Sequence, residues 1–382
     1  MKNVVRYLMQ SEFPTFRFQL EFFDERAELI RPYILLYYSE NGEIELFDVK
    51  LKKPFLKRTL THQIAKKDLY IGNKLPINGR IYDIIDYADI STKQLLETKM
   101  QKTYAMLKPG FSQRIGNALD RIYREGLIVS KLQFGYISQE TAQEFYAEHK
   151  GKPFFESLVS YITSDPVFAI EIVGNNAIAK WREIIGPTNL EVAKSKAPNS
   201  LRAMYAKSTT ENFAHGSDSP TSSERELRII FDQKSIQPVN SFTNSTLCII
   251  KPHAVKSCMA GKIIQDIVEN NFYITGTRML TIDPTTAKEF YEVYRGVAED
   301  FNDMVTELSS GPCIALELMK DNAVNQFREL SGPRNVSIAR AILPGSLRAK
   351  YGTNTVKNAI HCTDLETDGL IENEFIFRLI PQ

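Results

Sequence analysis

The spacing of apolar positions from residue 102 onward switches repeatedly between the two periods of regular secondary structure. Short apolar runs such as "YAML" and "PVFAIEIV" predict buried strands. The segments between them carry apolar residues at helical spacing, as in "RIGNALDRIYREG", where Ile115, Leu119 and Ile122 recur. Strands that alternate with amphipathic helices predict a small α/β sandwich in which helices pack on a sheet.

The first hundred residues follow a different pattern. The segments "FRFQLEFFD", "RPYILLYYSENGEIELFDVKL", "DLYIGNKLPI" and "GRIYDIIDYAD" are rich in the aromatic and β-branched residues that favour strands. Asn41-Gly42 lies between two such runs and predicts a hairpin turn. This part of the sequence has one histidine, His62, and it has neither a glycine-rich phosphate loop nor a carboxylate cluster. We therefore expect residues 1–100 to form a β domain that binds a partner, joined to the rest by a polar connection at 90–102.

The remainder of the chain contains one pattern twice. The segment "TYAMLKPGFSQRIGNALDRIYREGLIVSKLQF" parallels "TLCIIKPHAVKSCMAGKIIQDIVENNFYITGTRM", and "APNSLRAMYAKSTTENFAHGSDS" parallels "LPGSLRAKYGTNTVKNAIHCTDL". The two segments keep their order and almost the same separation in both halves, which indicates an internal repeat. We predict a first copy at 102–234, a polar linker at 235–244 and a second copy at 245–382.

Composition and charge exclude several classes of protein. The 382 residues include 47 basic and 46 acidic side chains, so the net charge does not indicate bulk attraction to nucleic acid or to an anionic membrane. The start "MKNVVRYLMQ" lacks a long apolar core with a cleavage site, and no apolar run is long enough to cross a bilayer, which favours a soluble protein. The four cysteines lack paired metal-ligand spacing, so we expect reduced thiols and no zinc site.

Candidate chemistry comes from the repeat. In the first copy Lys108, Arg182 and Arg202 are cations of the kind that bind phosphate groups, and arginine can do so with two parallel hydrogen bonds. His215 could act as a nucleophile toward phosphorus if a partner such as Glu226 orients its ring. The alternative is a histidine that only makes structural hydrogen bonds in a loop. The recurrence of the same phrase around a second histidine favours the functional interpretation.

The phrase around His215 resembles the nucleophile signature of the nucleoside diphosphate kinase family, which reads Asn, two residues, then His-Gly-Ser-Asp. The matching residues are Asn212, His215, Gly216, Ser217 and Asp218. The resemblance covers both copies, about residues 102–380. It implies a ferredoxin-like βαββαβ fold for each copy, and ping-pong transfer of the γ-phosphoryl group from a nucleoside triphosphate to histidine and then to a nucleoside diphosphate.

The resemblance also implies roles for residues of the first copy. His215 would be phosphorylated, Glu226 would orient its imidazole, Ser217 would support the same loop and Lys108 would bind the transferred phosphoryl group. The implied nucleotide-binding residues are Tyr146, Phe154, Leu158, Arg182, Thr188, Arg202 and Asn212. Magnesium would arrive with the nucleotide as its only metal, bridging phosphates, so the chain would need no metal cage of its own.

The second copy keeps only part of this set. The matching residues are Lys251, Tyr291, Arg328, Arg348, Asn358, His361 and Glu372. Elsewhere it departs from the pattern: His253 follows Lys-Pro, Glu299 and Asp300 fall near the base-stacking position, Arg334 replaces a threonine, and the histidine loop reads "HCTD". An acidic group is a poor substitute for a stacking ring, so we expect weak nucleotide binding or none. A copy kept for packing and a second active site both stay open.

The segment "RPYILLYYSENGEIELFDV", followed by "DLYIGNKLPINGRIYDIIDYAD", resembles the PH-like module of ciliary doublet-microtubule proteins. One such module followed by two kinase-like copies is the layout of an axonemal branch of the family. The resemblance implies a cytoplasmic, cytoskeletal protein of the cilium axoneme that contacts tubulin and other doublet proteins. It also implies an internal pseudo-dimer of the two copies. The alternative is a purely structural axonemal scaffold whose kinase folds are catalytically silent.

Overall fold

The computed structural model describes most of the chain, namely residues 14–24, 27–61, 64–96, 100–239 and 243–380. His62 and part of the predicted linker, residues 240–242, lie outside the described residues. Among the helices of the described ranges, none has the length and apolar character needed to cross a membrane.

The β domain is an antiparallel sheet of six strands. The strands are β1 (Thr15–Asp24), β2 (Leu29–Tyr38), β3 (Glu43–Asp48), β4 (Lys53–Leu60), β5 (Lys74–Ile77) and β6 (Arg80–Tyr87). Their order in the sheet is β4-β3-β2-β1-β6-β5. Gly42 adopts a left-handed φ of 76° between β2 and β3, which confirms the predicted Asn41-Gly42 turn. Alternate residues such as Phe18, Leu20 and Leu35 point inward and form a core made only of residues from this domain.

A short helix, α1 (Ile90–Leu96), follows the β domain. Thr92 and Leu96 are buried, and the Thr92 hydroxyl accepts a hydrogen bond of 2.9 Å from the backbone N–H of Arg17 on β1. The predicted polar connection is therefore partly a helix packed on the β domain. The β domain also contacts the second copy, because Lys67 Nζ donates to the carbonyl of Lys256 at 3.0 Å.

The first copy has the ferredoxin-like strand order, with β10-β7-β9-β8 corresponding to fourth, first, third and second strands. Its elements are β7 (Met100–Leu107), α2 (Ile115–Arg124), β8 (Ile128–Ile137), α3 (Gln139–Phe145), α4 (Phe155–Ile162), β9 (Val167–Asn175), α5 (Ala177–Ile185), α6 (Leu190–Lys196), α7 (Leu201–Tyr205), β10 (Ala214–Gly216) and α8 (Pro220–Leu227). Ile115, Leu119 and Ile122 of α2 are fully buried, as their spacing predicts.

The second copy has the same strand order read in the opposite direction, β13-β14-β12-β15, which are its second, third, first and fourth strands. Its elements are β12 (Ser245–Ile250), α9 (Pro252–Lys256), α10 (Ala260–Glu269), β13 (Tyr273–Thr281), α11 (Pro284–Phe290), α12 (Phe301–Leu308), β14 (Pro312–Met319), α13 (Ala323–Ser331), α14 (Val336–Ile342), α15 (Leu347–Tyr351), β15 (Ile360–Cys362) and α16 (Asp368–Glu374). A π-helical turn follows the last helix of each copy, at Arg228–Asp232 and Phe375–Leu379.

The two copies share one continuous sheet. Strand β8 runs antiparallel to β13, with Gln133 opposite Arg278. On one side of this junction α2 packs against α10 so closely that a Cβ added at Gly116 would lie 2.6 Å from the backbone nitrogen of Gln265. A further strand, β11 (Ile236–Pro238), pairs with β8, so the first residues of the predicted linker extend the sheet of the first copy.

Candidate active site

The loop that carries His215 is fixed from both sides. Phe213, two residues before His215, has a left-handed φ of 79°, and its buried ring packs 5.3 Å, centroid to centroid, from both Phe111 and Tyr205. On the opposite side, Trp181 Nε1 donates a 3.0 Å hydrogen bond to the carbonyl of His215. The packing of the Phe213 ring stabilises a left-handed backbone conformation that residues other than glycine rarely adopt.

Close packing explains the glycine that follows the histidine. A Cβ added at Gly216 would lie 2.5 Å from Cδ1 of Trp181, so a larger residue would displace the indole. In the second copy Cys362 takes the place of Gly216, and the smaller ring of Phe327 takes the place of Trp181. The "HCTD" departure is therefore matched by a change in the helix that packs on it.

A buried carboxylate orients the His215 imidazole. His215 Nε2 lies 3.0 Å from Glu226 Oε2, and the Ser217 hydroxyl donates to the same oxygen at 2.7 Å. Ser217 in turn accepts a hydrogen bond of 3.1 Å from the backbone N–H of Tyr104. Because Nε2–H donates to the carboxylate, the other ring nitrogen, Nδ1, keeps its lone pair. This is the arrangement that an imidazole nucleophile requires.

His215 lies in the wall of a cavity of about 480 Å³. The cavity brings together nearly all of the residues that the family resemblance indicates in the first copy: Lys108, Tyr146, Phe154, Leu158, Arg182, Thr188, Arg202, Asn212, His215 and Glu226. Ser217 lies behind this wall, against Glu226. The volume falls within the range of ligand pockets for small molecules.

The cations of the cavity are held close to one another. Arg202 donates hydrogen bonds of 2.7 Å to the carbonyls of Gly186 and Ala214, which fix its guanidinium. Burial and the charge of Arg202 lower the pKa of Lys108 to about 7. Burial and Arg182 lower the pKa of Arg202 to about 10. Since these like charges destabilise one another, a bound phosphate group would relieve the repulsion.

Two buried polar atoms of the cavity residues lack partners within the described part of the protein. They are the hydroxyl of Tyr146 and Oδ1 of Asn212, whose Nδ2 donates to the carbonyl of Thr209 at 2.8 Å. Burial raises the pKa of Tyr146, so its hydroxyl stays protonated and can donate. Buried polar groups are nearly always hydrogen-bonded, so these atoms are consistent with a ligand that supplies the missing partners.

The outer end of the cavity is aromatic. Phe154 precedes α4 and is 48% exposed, as a platform for a planar ligand requires. The ring of His149 lies between Tyr146 and Phe154, with centroid separations of 6.2 and 5.5 Å, and Lys152 Nζ lies 3.0 Å from its Nδ1. The sequence analysis did not include His149 in the site. Its position between Tyr146 and Phe154, five residues before the latter, was a usable signal.

Comparison with known proteins identifies the family. The profile of the family "Nucleoside diphosphate kinase" matches residues 101–236 and 244–380. The chain belongs to the nucleoside diphosphate kinase family. Proteins named "Nucleoside diphosphate kinase homolog 7" from Rattus norvegicus and Mus musculus are 42% and 40% identical over 368 residues, which cover 96% of this chain and 93% of theirs. The solved nucleoside diphosphate kinase of Aquifex aeolicus is 38% identical over 36% of this chain and 99% of its own, with a TM-score of 0.34.

The second copy keeps the hydrogen bonds around its histidine. His361 Nε2 lies 3.0 Å from Glu372 Oε2, and Thr363 Oγ1 donates to the same oxygen at 2.7 Å. Lys251 Nζ donates to Asn358 Oδ1 at 2.8 Å, and burial lowers the pKa of Lys251 to about 7. The histidine and its carboxylate therefore have the same geometry in both copies.

In the second copy an ion pair lies at the position that corresponds to the aromatic end of the first cavity. Arg334 lies 2.5 Å from Asp300. Asp300 precedes α12 as Phe154 precedes α4, and Arg334 follows Gly-Pro as Thr188 does in the first copy. Two paired charges therefore stand where the first copy has the Phe154 ring and the Thr188 hydroxyl.

Further contacts enclose the second site. The Tyr294 hydroxyl donates to the Asp364 carboxylate at 2.5 Å, and Arg328 donates to the Asp364 carbonyl. The His361 side chain is only 6% exposed, against 21% for His215. Arg328 is thus engaged within the protein, and the second histidine has less access to a ligand than the first.

His253 adds a link that the first copy lacks. Its Nδ1 lies 2.6 Å from Glu307, and its Nε2 accepts a 3.2 Å hydrogen bond from the backbone N–H of Ala359. The corresponding residue of the first copy is Gly110. In the second copy this side chain therefore ties the Lys-Pro turn to the loop that carries the histidine.

Proposed function

We propose that the first copy transfers the γ-phosphoryl group of a nucleoside triphosphate to a nucleoside diphosphate through a phosphohistidine at His215. The observation that carries the proposal is the His215–Glu226 pair in the wall of a cavity that also contains Lys108 and Arg202. Membership of the kinase family supports it. Incubation of the purified protein with labelled ATP should yield an acid-labile phosphohistidine, and the label should pass to added GDP.

The residues present account for each half-reaction. Nδ1 of His215 attacks the γ-phosphorus, an N–P bond forms, and the P–O bond to the leaving diphosphate breaks. Glu226 stabilises the ring as it gains positive charge, because Nε2–H donates to its carboxylate. Lys108 and Tyr146 lie where they can bind the transferred group. A second diphosphate then attacks the phosphohistidine, which restores the neutral imidazole.

The cavity also fits the magnesium ion that the family uses with its nucleotide. Hydrogen bonding from Ser222 holds the pKa of Asp218 below its usual value, so an ionised carboxylate lines the cavity. No group of three or more His, Cys, Asp or Glu side chains among the described residues could hold a metal ion by itself. Asp218 would therefore hold the ion together with the phosphates, and the ion would neutralise part of their charge.

Nucleotide binding at pH 8 should take up a proton. Because the pKa of Lys108 is about 7, this amine is roughly nine-tenths neutral at pH 8, and a bound phosphate would raise its pKa and protonate it. At pH 6 the amine is already charged, so the uptake should be small. Calorimetry of ADP binding in buffers with different ionisation enthalpies measures the effect. Lys108→Arg, which is charged at both pH values, should bind without uptake; equal uptake by this variant would contradict the assignment.

We propose further that the second copy is catalytically silent and that the whole chain is a component of ciliary doublet microtubules. The ion pair between Arg334 and Asp300 favours silence of the second copy. The β domain, with its own core, supports a separate binding role, and its resemblance to modules of doublet proteins suggests tubulin and other axonemal proteins as partners. The proposed location is the axoneme, within the cytoskeleton of the cilium.

Removal of the Asp300–Arg334 ion pair should allow the second copy to bind a nucleotide. Asp300→Phe combined with Arg334→Thr restores the ring and hydroxyl of the first copy, so we expect bound ADP to rise from about one to about two per chain. Equilibrium dialysis with labelled ADP measures this number. Glu299→Phe is the matched control, because it adds a ring on the neighbouring exposed residue while the Asp300–Arg334 pair remains. A ratio that stays at one in the double variant would show that the ion pair does not close the site.

We also propose that the two copies form an internal pseudo-dimer and that the chain is a monomer in solution. The pairing of β8 with β13 and the packing of α2 on α10 already join equivalent elements of the two copies. An edge and a helix that are occupied within one chain are unavailable to a second chain. Light scattering should give the mass of one chain, and the mass of a hexamer would reject the proposal.

A further inference from the structure

Two cysteines face each other across neighbouring strands of the second copy. Cys248 on β12 lies directly opposite Cys362 on β15 in the antiparallel register. Both are free thiols, and both side chains belong to the same buried core, so they lie on one face of the sheet. Cys362 immediately follows His361, the histidine of the second site.

The hydrogen-bond pattern places this pair at a close-approach position. The backbone N–H of Lys251 donates to the carbonyl of Ala359, its direct partner, at 2.9 Å. Hydrogen-bonded and non-hydrogen-bonded pairs alternate along an antiparallel ladder, so the pair three residues further along is non-hydrogen-bonded. Such pairs have Cα atoms about 4.5 Å apart, which is within the range that a disulfide spans. Cys248 and Cys362 can therefore be joined with little movement of the backbone.

The cysteine pair is a feature of the second copy. At the same position of the first copy, Ala105 lies opposite Gly216, where Trp181 leaves no room for a side chain. Phe327 replaces that tryptophan in the second copy and provides the space that Cys362 occupies. The sulfur of Cys362 also accepts a 3.3 Å hydrogen bond from Nη2 of Arg348.

We propose that Cys248 and Cys362 are a site of reversible oxidation, at which hydrogen peroxide forms an intrachain disulfide. Peroxide first oxidises the Cys362 thiol to a sulfenic acid and is reduced to water. The Cys248 thiol then attacks this sulfur, the S–S bond forms and a second water leaves. A thiol reductant restores both cysteines. Cys362 is 3% exposed, so a small oxidant is suited to reach it.

The bond would act on the second site. It would fix β15, which carries His361, to β12, which leads into Lys251. It would also convert the sulfur that accepts from Arg348 into part of a disulfide, so the guanidinium would lose its thiol partner. Oxidation therefore alters the surroundings of His361 and Arg348 in the second copy without touching the first, and the inference does not depend on the proposed phosphotransfer.

The test uses the full chain with Cys258→Ser and Cys313→Ser, which leaves the proposed pair as the only cysteines. After treatment with hydrogen peroxide, removal of the oxidant and denaturation, thiol titration should fall from two per chain to none. Digestion without reductant should give one peptide pair linked through Cys248 and Cys362. Dithiothreitol should return both thiols. Survival of both thiols, or their loss without a linked peptide, would overturn the proposal.

The matched control adds Cys248→Ala to the same background. Cys362 is then the only cysteine of the chain, so we expect peroxide to leave it as a sulfenic acid and to give no intrachain linked peptide. Because dithiothreitol also reduces a sulfenic acid, the two proteins are compared by dimedone labelling: dimedone should label Cys362 of the oxidised control and leave the oxidised pair unlabelled, and equal labelling of both would show that Cys248 is not the partner. Peptide mapping of the oxidised wild-type chain repeats the measurement without any substitution. There, a disulfide that involves Cys258 or Cys313 in place of the pair would also overturn the proposal.

Discussion

We expect His215→Ala to abolish the transfer of label from ATP to GDP, with a loss of at least about a thousandfold in rate. The substitution removes the nitrogen that forms the N–P bond, and the neighbouring cations and Tyr146 cannot supply another nucleophile of the same kind. The measurement is the amount of acid-labile phosphohistidine on the protein, followed by the label that appears in GTP.

The second copy provides the matched control for this experiment. His361→Ala removes the same residue type from the same hydrogen bond to a carboxylate, since the Nε2–Oε2 distances are 3.0 Å in both copies. We expect this variant to keep wild-type transfer. If His215→Ala retains wild-type label while His361→Ala loses it, the active copy has been assigned wrongly.

Local patterns in the sequence were sufficient for most of the fold. The alternation in β1 to β3 and the Asn41-Gly42 turn depend on residues close in sequence, and the structure confirms the hairpin. The helical spacing of Ile115, Leu119 and Ile122 likewise identified the buried side of α2. The internal repeat supplied the long-range information, because two copies of one pattern predict two copies of one fold.

Features that depend on contacts between distant segments could not be predicted in this way. The short strand β11 belongs to a polar stretch, and its pairing with β8 is decided by tertiary structure. The ion pair between Asp300 and Arg334 joins residues 34 positions apart, so their charges were visible in the sequence while their contact was not.

The two copies show which part of the site can change while the fold is kept. The histidine, its carboxylate and the hydroxyl that supports them have the same distances in both, at Ser217 in one copy and Thr363 in the other. The differences lie at the Asp300–Arg334 pair, at His253 in place of Gly110, and in the Gly216 to Cys362 exchange. In the second copy Thr363 also accepts a hydrogen bond from the backbone N–H of Leu247 on the neighbouring strand. The shared geometry around the histidine is therefore also explained by its contribution to packing.

Removal of the β domain should separate placement in the cilium from catalysis. The core of the β domain contains residues of that domain alone, and the main core of the kinase copies contains none of them, so residues 100–382 should fold without it. None of the cavity residues around His215 belongs to the β domain. We therefore expect the truncated protein to form phosphohistidine at the wild-type level and to be absent from isolated doublet microtubules.

Two results of this truncation would contradict the expectation, and they differ in what they say about the β domain. Because Lys67 contacts the carbonyl of Lys256, the β domain could instead stabilise the kinase copies, and a truncated protein that unfolds or precipitates would indicate that role. A truncated protein that still joins doublets would overturn the proposed binding role of the β domain. The full chain with His215→Ala is the matched control: it lacks the nucleophile but keeps the β domain, so we expect it to enter doublets at the wild-type level.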